Sequence, residues 1–296
     1  MIKIIFLGTA GATPTKKRAL PSVAIEYKGK IYLFDCGEGT QRQFLKYGLN
    51  MSKISCIFLT HVHADHVIGI AGLIRTLSIN KRTEALSIYV PEGEEAKVRN
   101  LAHFDDSVVN YEVVVKPIKT GTVLKNKDLE IRAFKLNHSV LTYGYVIKEG
   151  DRIRFIKEKA AAAGIKGIMF QEILKKKRLQ VNKKNISLSS ISFLETGKKV
   201  VYATDTRPCK AAEKNAANAD LLIHEATYTE ALKAFAKDRK HSTAGEAATI
   251  AKNAHVKRLI LFHISARYKD TKGLLEEARK TFKNTEIAND GLEIVL

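Results

Sequence analysis

The segment Thr60-His61-Val62-His63-Ala64-Asp65-His66 places three imidazoles and a carboxylate within a few residues, directly after the apolar run Ser55–Leu59. That run reads as a buried strand, and a loop at the end of a rigid strand presents its side chains at a fixed place. Imidazoles at i and i+2 of an extended segment can converge on one ion. Asp65 and His66 then face a neighbouring position as the chain turns into a helix. Imidazole and carboxylate at this density suit zinc better than iron or manganese. Isolated histidines are common in folds, whereas H-x-H-x-D-H is not.

These local ligands cannot complete two sites, so others must come from distant parts of the chain. His138 stands in Lys135-Leu136-Asn137-His138-Ser139, Asp205 in Tyr202-Ala203-Thr204-Asp205-Thr206-Arg207, and His263 in Leu261-Phe262-His263-Ile264-Ser265. Each lies where an apolar strand meets a polar loop, the placement required of a metal site assembled at one sheet edge. Singly each would be structural; together with residues 61–66 they read as ligands.

The elements that must position them alternate along the chain. Early strands are expected at 2–7, 22–27 and 31–34, a helix at 38–47, and a second helix from 66 to 78. Thr243-Ala244-Gly245-Glu246 has the form of a capping box opening a helix over 243–254. Strand-rich halves with helices between them predict an α/β fold of two packed sheets with helices outside.

Composition bounds the function. The 296 residues hold 50 Lys+Arg against 31 Asp+Glu, a net charge of +19. With 45% hydrophobic and 27% charged residues the chain is globular rather than disordered. No run approaches the ~18 apolar residues of a membrane span, and Met1–Gly8 is too short for a signal-peptide core. Three distant cysteines, Cys36, Cys56 and Cys209, argue against a disulfide framework, so a reducing cytoplasm is the expected location. The charge favours a polyanionic partner. It is also uneven: residues 150–185 carry 11 Lys/Arg and 3 acids, a net of 11 − 3 = +8. This basic segment, with Lys175, Lys176, Lys177 and Arg178 at its centre, lacks the long amphipathic face of a membrane-surface helix.

At these residues the chain resembles the metallo-β-lactamase superfamily and, within it, the ribonuclease Z family of tRNA 3′-processing endonucleases. H-x-H-x-D-H alone carries only the superfamily. Phe34-Asp35-Cys36-Gly37-Glu38-Gly39-Thr40-Gln41, His224-Glu225-Ala226-Thr227, His241-Ser242-Thr243 and Phe262-His263-Ile264-Ser265-Ala266-Arg267-Tyr268 carry the narrower resemblance. The family's P-x-K-x-R-N loop stands here as Pro14-Thr15-Lys16-Lys17-Arg18-Ala19, with Ala19 in place of the Asn.

The resemblance implies a single metallo-β-lactamase domain, an αββα sandwich over 1–296, with 150–185 as an inserted, protruding tRNA-binding arm. It implies two zinc ions per subunit. His61, His63, His138 and Asp205 would hold one; Asp65, His66, His263 and the shared Asp205 would hold the other. Such a pair supplies a hydroxide at neutral pH and clamps a phosphodiester. Asp65 would serve as general base, and Glu225 with His241 as the acid for the leaving 3′-oxygen. Lys16, Lys17 and Arg18, together with Lys175–Arg178, would contact RNA. The expected partner is precursor tRNA, on a homodimer in which the arm of one subunit serves the other. The competing reading is a hydrolase of small phosphodiesters, such as cyclic nucleotides, from the same superfamily; it has no need of a +8 arm. A non-catalytic RNA-binding relative would lose ligands, whereas all seven are present.

Overall fold

The computed structural model describes residues 1–104 and 108–296. The chain divides into two compact units: Met1–Lys148 with Lys199–Leu296, and Glu149–Lys198.

The larger unit holds two seven-stranded sheets. The first runs in the order Glu293–Val295, Ile2–Gly8, Ser22–Tyr27, Lys30–Phe34, Ile54–Phe58, Leu86–Pro91, Val113–Ile118. The second runs Thr285–Ile287, Leu259–Phe262, Leu221–Glu225, Lys199–Ala203, Tyr143–Glu149, Leu129–Lys135, Gly121–Lys125. Alternate residues of both sheets, among them Ile4, Phe6, Phe34, Phe58, Tyr145, Tyr202 and Phe262, form one fully buried layer between the sheets. The opposite face of the first sheet is covered by the helices Thr40–Lys46, Gly69–Ile79 and Glu95–Ala102, through Phe44, Leu73, Leu77 and Val98. The opposite face of the second is covered by Lys210–Ala216, Ala244–Asn253 and Lys272–Thr281, largely through alanines that let the helices lie close. This is the αββα arrangement.

Parallel pairing sets the functional edge. Lys30–Phe34, Ile54–Phe58, Leu86–Pro91 and Val113–Ile118 are parallel, as are Lys199–Ala203, Leu221–Glu225, Leu259–Phe262 and Thr285–Ile287. The carboxyl ends of such strands are where open α/β sheets bind ligands. Asp35, Thr60, Asp205, Glu225 and His263 all stand at those ends. The antiparallel register Tyr145↔Tyr202 brings the 136–142 connection, with His138, to the same edge.

The capping box at Thr243 and Glu246 is present, with both of its bonds made. Two expectations shift. The helix read as 66–78 is two pieces, Ala64–Val67 and Gly69–Ile79, so Asp65 lies in the first turn of the first piece rather than in the preceding loop. Gly121–Lys125, a half-exposed edge strand with no clean apolar alternation, was not anticipated.

The smaller unit has its own core of Ala160, Ile165, Ile173, Val181, Leu188 and Ile191. Two short helices, Lys157–Ala162 and Met169–Lys176, accompany two antiparallel pairs: Arg152–Phe155 with Ser192–Glu195, and Arg178–Val181 with Lys184–Ser187. The expected boundary at 185 therefore falls within the unit. Its closing strand, Ser192–Glu195, completes the ladder with Arg152–Phe155 and carries the unit on to Lys198.

Candidate active site

Seven expected ligands meet at the edge defined above. Ligand atoms of His61, His63, His138 and Asp205 lie within 4.8 Å of one another, as do those of Asp65, His66 and His263, and those of Asp205, His241 and His263. Asp205 bridges: its Oδ2 lies 3.8 Å from both His61 Nε2 and His138 Nε2, and its Oδ1 lies 3.3 Å from His66 Nε2 and 3.2 Å from His263 Nε2. Asp65 Oδ2 lies 3.5 Å from both His66 Nε2 and His263 Nε2.

Local backbone bends produce this convergence. Asp35, Asp205 and His263 adopt left-handed φ of 57°, 42° and 58°. Non-glycine residues held there store strain, which persists only where the surroundings over-determine it. Gly11, on a short strand paired with Ile264–Ser265, must be glycine, because a Cβ there would stand 2.6 Å from the His263 ring.

Hydrogen bonds fix which imidazole nitrogen faces inward. Asp35 is fully buried and receives His66 Nδ1–H at 2.9 Å, the Tyr202 hydroxyl at 2.9 Å, and both the backbone N–H and hydroxyl of Thr60. The Thr60 hydroxyl, having given its proton to Asp35, accepts from His61 Nδ1 at 3.0 Å. The Thr227 hydroxyl donates to Glu225 at 2.6 Å and accepts from His263 Nδ1 at 3.0 Å. His138 Nδ1 donates to the Lys240 carbonyl at 3.0 Å. The Nδ1 atoms of four histidines are thereby occupied, which turns each Nε2 toward the cluster; His61 Nε2 lies 2.9 Å from His63 Nδ1. The Nε2 atoms of His66, His138 and His263 are buried and make no hydrogen bond. Buried polar atoms are ordinarily paired. Unpaired imidazole nitrogens facing carboxylates, each with its Nδ1 secured from behind, are the arrangement of a metal-binding centre, so the residues present fit a metal.

The charges agree. Burial opposes ionisation of Asp205, yet the His263 and His66 imidazoles hold its carboxyl well below the usual range. Asp65, also opposed by burial, is likewise held down by His66 and His263. Burial drives His61 toward the neutral, ligating form.

A second assembly adjoins the first. Glu225 is fully buried and accepts from Thr206 N, the Thr227 hydroxyl, Ser242 N and His241 Nδ1, the last at 3.0 Å. Burial works against protonation of His241, but the Glu225 carboxylate prevails and raises it to about 9. Arg207 secures this histidine: its guanidinium donates to the His241 carbonyl at 2.6 Å and grips Glu246 through both terminal nitrogens. A cavity of about 530 Å³ is lined by His63, Asp65, Asp205, His241 and His263 together. Ala12 N donates to Asp65 Oδ2 at 2.9 Å, tying the loop 12–19 to the site.

The remaining candidates divide. Lys16, Lys17, Lys175, Lys176, Lys177 and Arg178 are exposed. Arg18 turns inward instead, donating to the Thr9 hydroxyl, the Ala288 carbonyl and Asn289 Oδ1, so it anchors its loop rather than offering a free charge. His224 is buried with Nδ1 on the Glu225 carbonyl. Cys36 and Cys56 are buried free thiols, and burial pushes Cys36 up to about 12. The sequence alone gives no role to Asp35, Thr60, Tyr202 or Thr227. The signal for Asp35 was its place at a strand end within the 34–41 motif.

Comparison with known proteins follows the same lines. The family described as anti-Pycsar protein Apyc1 matches residues 2–162, and the beta-lactamase superfamily domain matches 156–264. The first match reaches His61 to His138 and stops short of Asp205, Glu225, His241 and His263; the second contains those four. Ribonuclease Z of Methanosarcina mazei is 40% identical over 298 residues, 99% of this chain and 98% of its own length. Ribonuclease Z of Archaeoglobus fulgidus is 41% identical, covering 99% and 97%. The crystal structure of the short form of human tRNase Z, ELAC1, superposes with a TM-score of 0.73 at 26% identity, covering 99% of this chain and 98% of that one.

Proposed function

The chain belongs to the ribonuclease Z family of the metallo-β-lactamase fold, and on that premise we propose that the site described above removes the 3′ trailer from precursor tRNA. It is an endoribonuclease acting on phosphodiester bonds. The observation that carries the reading is the juxtaposition of a His/Asp cluster that shares Asp205 with His241, which lines the same cavity and is held from behind by the buried Glu225.

The donor set suits two zinc ions per subunit: His61, His63, His138 and Asp205 for one, and Asp65, His66, His263 and Asp205 for the other. When bound, such a pair lowers the pKa of water and neutralises charge building on the phosphodiester. Asp65, ionised and steadied by Ala12 N, orients the attacking water and takes its proton. The phosphorus–O3′ bond breaks as the water oxygen bonds to phosphorus. His241, protonated at neutral pH, gives its proton to the departing 3′-oxygen, while Glu225 keeps the ring oriented and stabilises its charge. The products are a tRNA ending in a 3′-hydroxyl and a trailer beginning with a 5′-phosphate.

Residues 149–198 supply a tRNA-gripping arm; 12 Lys/Arg against 5 acids, a net of 12 − 5 = +7, supports this. Lys16 and Lys17 contact RNA beside the cut. A homodimer is the assembly that the family resemblance supports. No described helix is long and apolar enough to cross a membrane, and free cysteines and a tRNA substrate favour the cytoplasm. Incubation with a trailer-bearing precursor, with and without chelator, tests the reading. Cleavage after the discriminator nucleotide, lost with chelator and restored by zinc, is expected; chelator-resistant or scattered cleavage would overturn it.

A further inference from the structure

One wall of the catalytic cavity takes no part in the chemistry above. Phe235, on the short helix Lys233–Asp238, lines the cavity yet remains 37% exposed. Tyr228 meets it edge-on, with ring centres 5.3 Å apart at 90°, and Tyr228 in turn stands 6.0 Å from the His241 ring. Two exposed arginines attend these rings. Arg267 Cζ is 4.9 Å from the Tyr228 centre and 5.1 Å from that of Phe235; Arg239 Cζ is 5.3 Å from Phe235. Among the described residues Arg267 makes no ion pair; its Nε donates to the Ser265 hydroxyl at 3.2 Å. A phenylalanine left open on the wall of a charged, hydrolytic cavity, with two guanidinium groups within 5.3 Å of its ring centre, is poorly explained by packing. Aromatic rings and guanidinium planes are the surfaces on which unpaired nucleobases stack.

The position of the wall selects the base. His241 protonates the leaving 3′-oxygen, so the ribose carrying that oxygen lies at His241. The base of that same nucleotide then faces the next ring outward, Tyr228, and beyond it Phe235. We propose that Phe235, with Tyr228, Arg239 and Arg267, forms a stacking subsite for the base of the last nucleotide retained on the tRNA. This assignment rests on the tRNA 3′-processing reading. Stacking reads a π-face rather than a hydrogen-bonding edge, so the subsite accepts any of the four bases there.

The test combines Phe235→Leu, which keeps apolar bulk but removes the ring, with precursors carrying an abasic residue. On a normal precursor, Phe235→Leu lowers kcat/KM between about 5-fold and 150-fold, the range of one stacked base. With the abasic residue at the last retained position, wild type and Phe235→Leu become equal, because the stacked group is already missing. With the abasic residue at the first trailer position, the variant keeps its full defect. Phe235→Trp restores the normal rate, and Arg267→Lys, which retains charge but not the plane, repeats the Phe235→Leu pattern. A defect that persists on the first abasic precursor would overturn the subsite, as would one that disappears only on the second. Failure of wild type to cleave the normal precursor at all would instead remove the tRNA-processing reading, and the subsite with it.

Discussion

Asp35 Oδ2 and His66 Nδ1 lie 2.9 Å apart, both fully buried, although 31 positions separate them in sequence. The carboxylate fixes the ring and makes its opposite nitrogen a stronger donor. Tyr202 from the second sheet donates to the same oxygen, so both sheets share in placing one imidazole. Asp35→Asn should therefore weaken metal affinity about 10- to 100-fold. Competition against a chelating dye measures this directly, with circular dichroism to confirm the fold. Unchanged affinity in a folded variant would reduce Asp35 to a packing role.

Asp65, proposed above as both metal ligand and proton acceptor, sits at the start of Ala64–Val67 and under the Ala12 N–H. Asp65→Ala should reduce cleavage of a trailer-bearing precursor at least a hundred- to ten-thousandfold, the usual worth of a positioned acid–base group. Precursor affinity in a gel-shift assay should hold, because the proposed RNA contacts lie elsewhere. Substantial residual cleavage would take Asp65 out of the mechanism.

His241 is assigned as the proton donor to the leaving 3′-oxygen, and that role can be separated from a structural one. His241→Ala should slow cleavage of a normal precursor by a comparable factor, about a hundredfold or more. A precursor whose scissile 3′-oxygen is replaced by sulfur has a leaving group that needs no proton. On it, the variant and the wild type should cleave at similar rates. An equal defect on both substrates would show that His241 acts by holding the site together.

These roles were unequally legible in sequence. The metal-ligand candidates could be read because each stands at a sharp change from apolar strand to polar loop, and H-x-H-x-D-H is rare by chance. The sandwich could be read from the same strands, whose runs of Ile, Val, Leu and Phe are buried on both faces. What stayed hidden depends on distant partners. Asp35 gains its meaning only from His66, and Arg207 from Glu246 and the His241 carbonyl. Arg18 looks like a phosphate contact until its partners at Thr9, Ala288 and Asn289 are seen. Arg178–Val181 and Lys184–Ser187 are short and polar, and only their mutual pairing makes them strands.

Lys175, Lys176, Lys177 and Arg178 offer four exposed cations where the helix Met169–Lys176 ends and Lys177 turns through φ 63°. If they grip tRNA away from the cut, their loss should act on binding rather than on chemistry. Replacing all four with Ala should raise KM for precursor tRNA and leave turnover of a small phosphodiester unchanged. The dependence of log Kd on log salt should flatten by about one unit per phosphate contact removed. Each backbone contact releases its own counterions, so the change in slope counts the contacts directly. Equal losses on both substrates would mean that these residues support the site itself, and an unchanged slope would mean that they never touch phosphate.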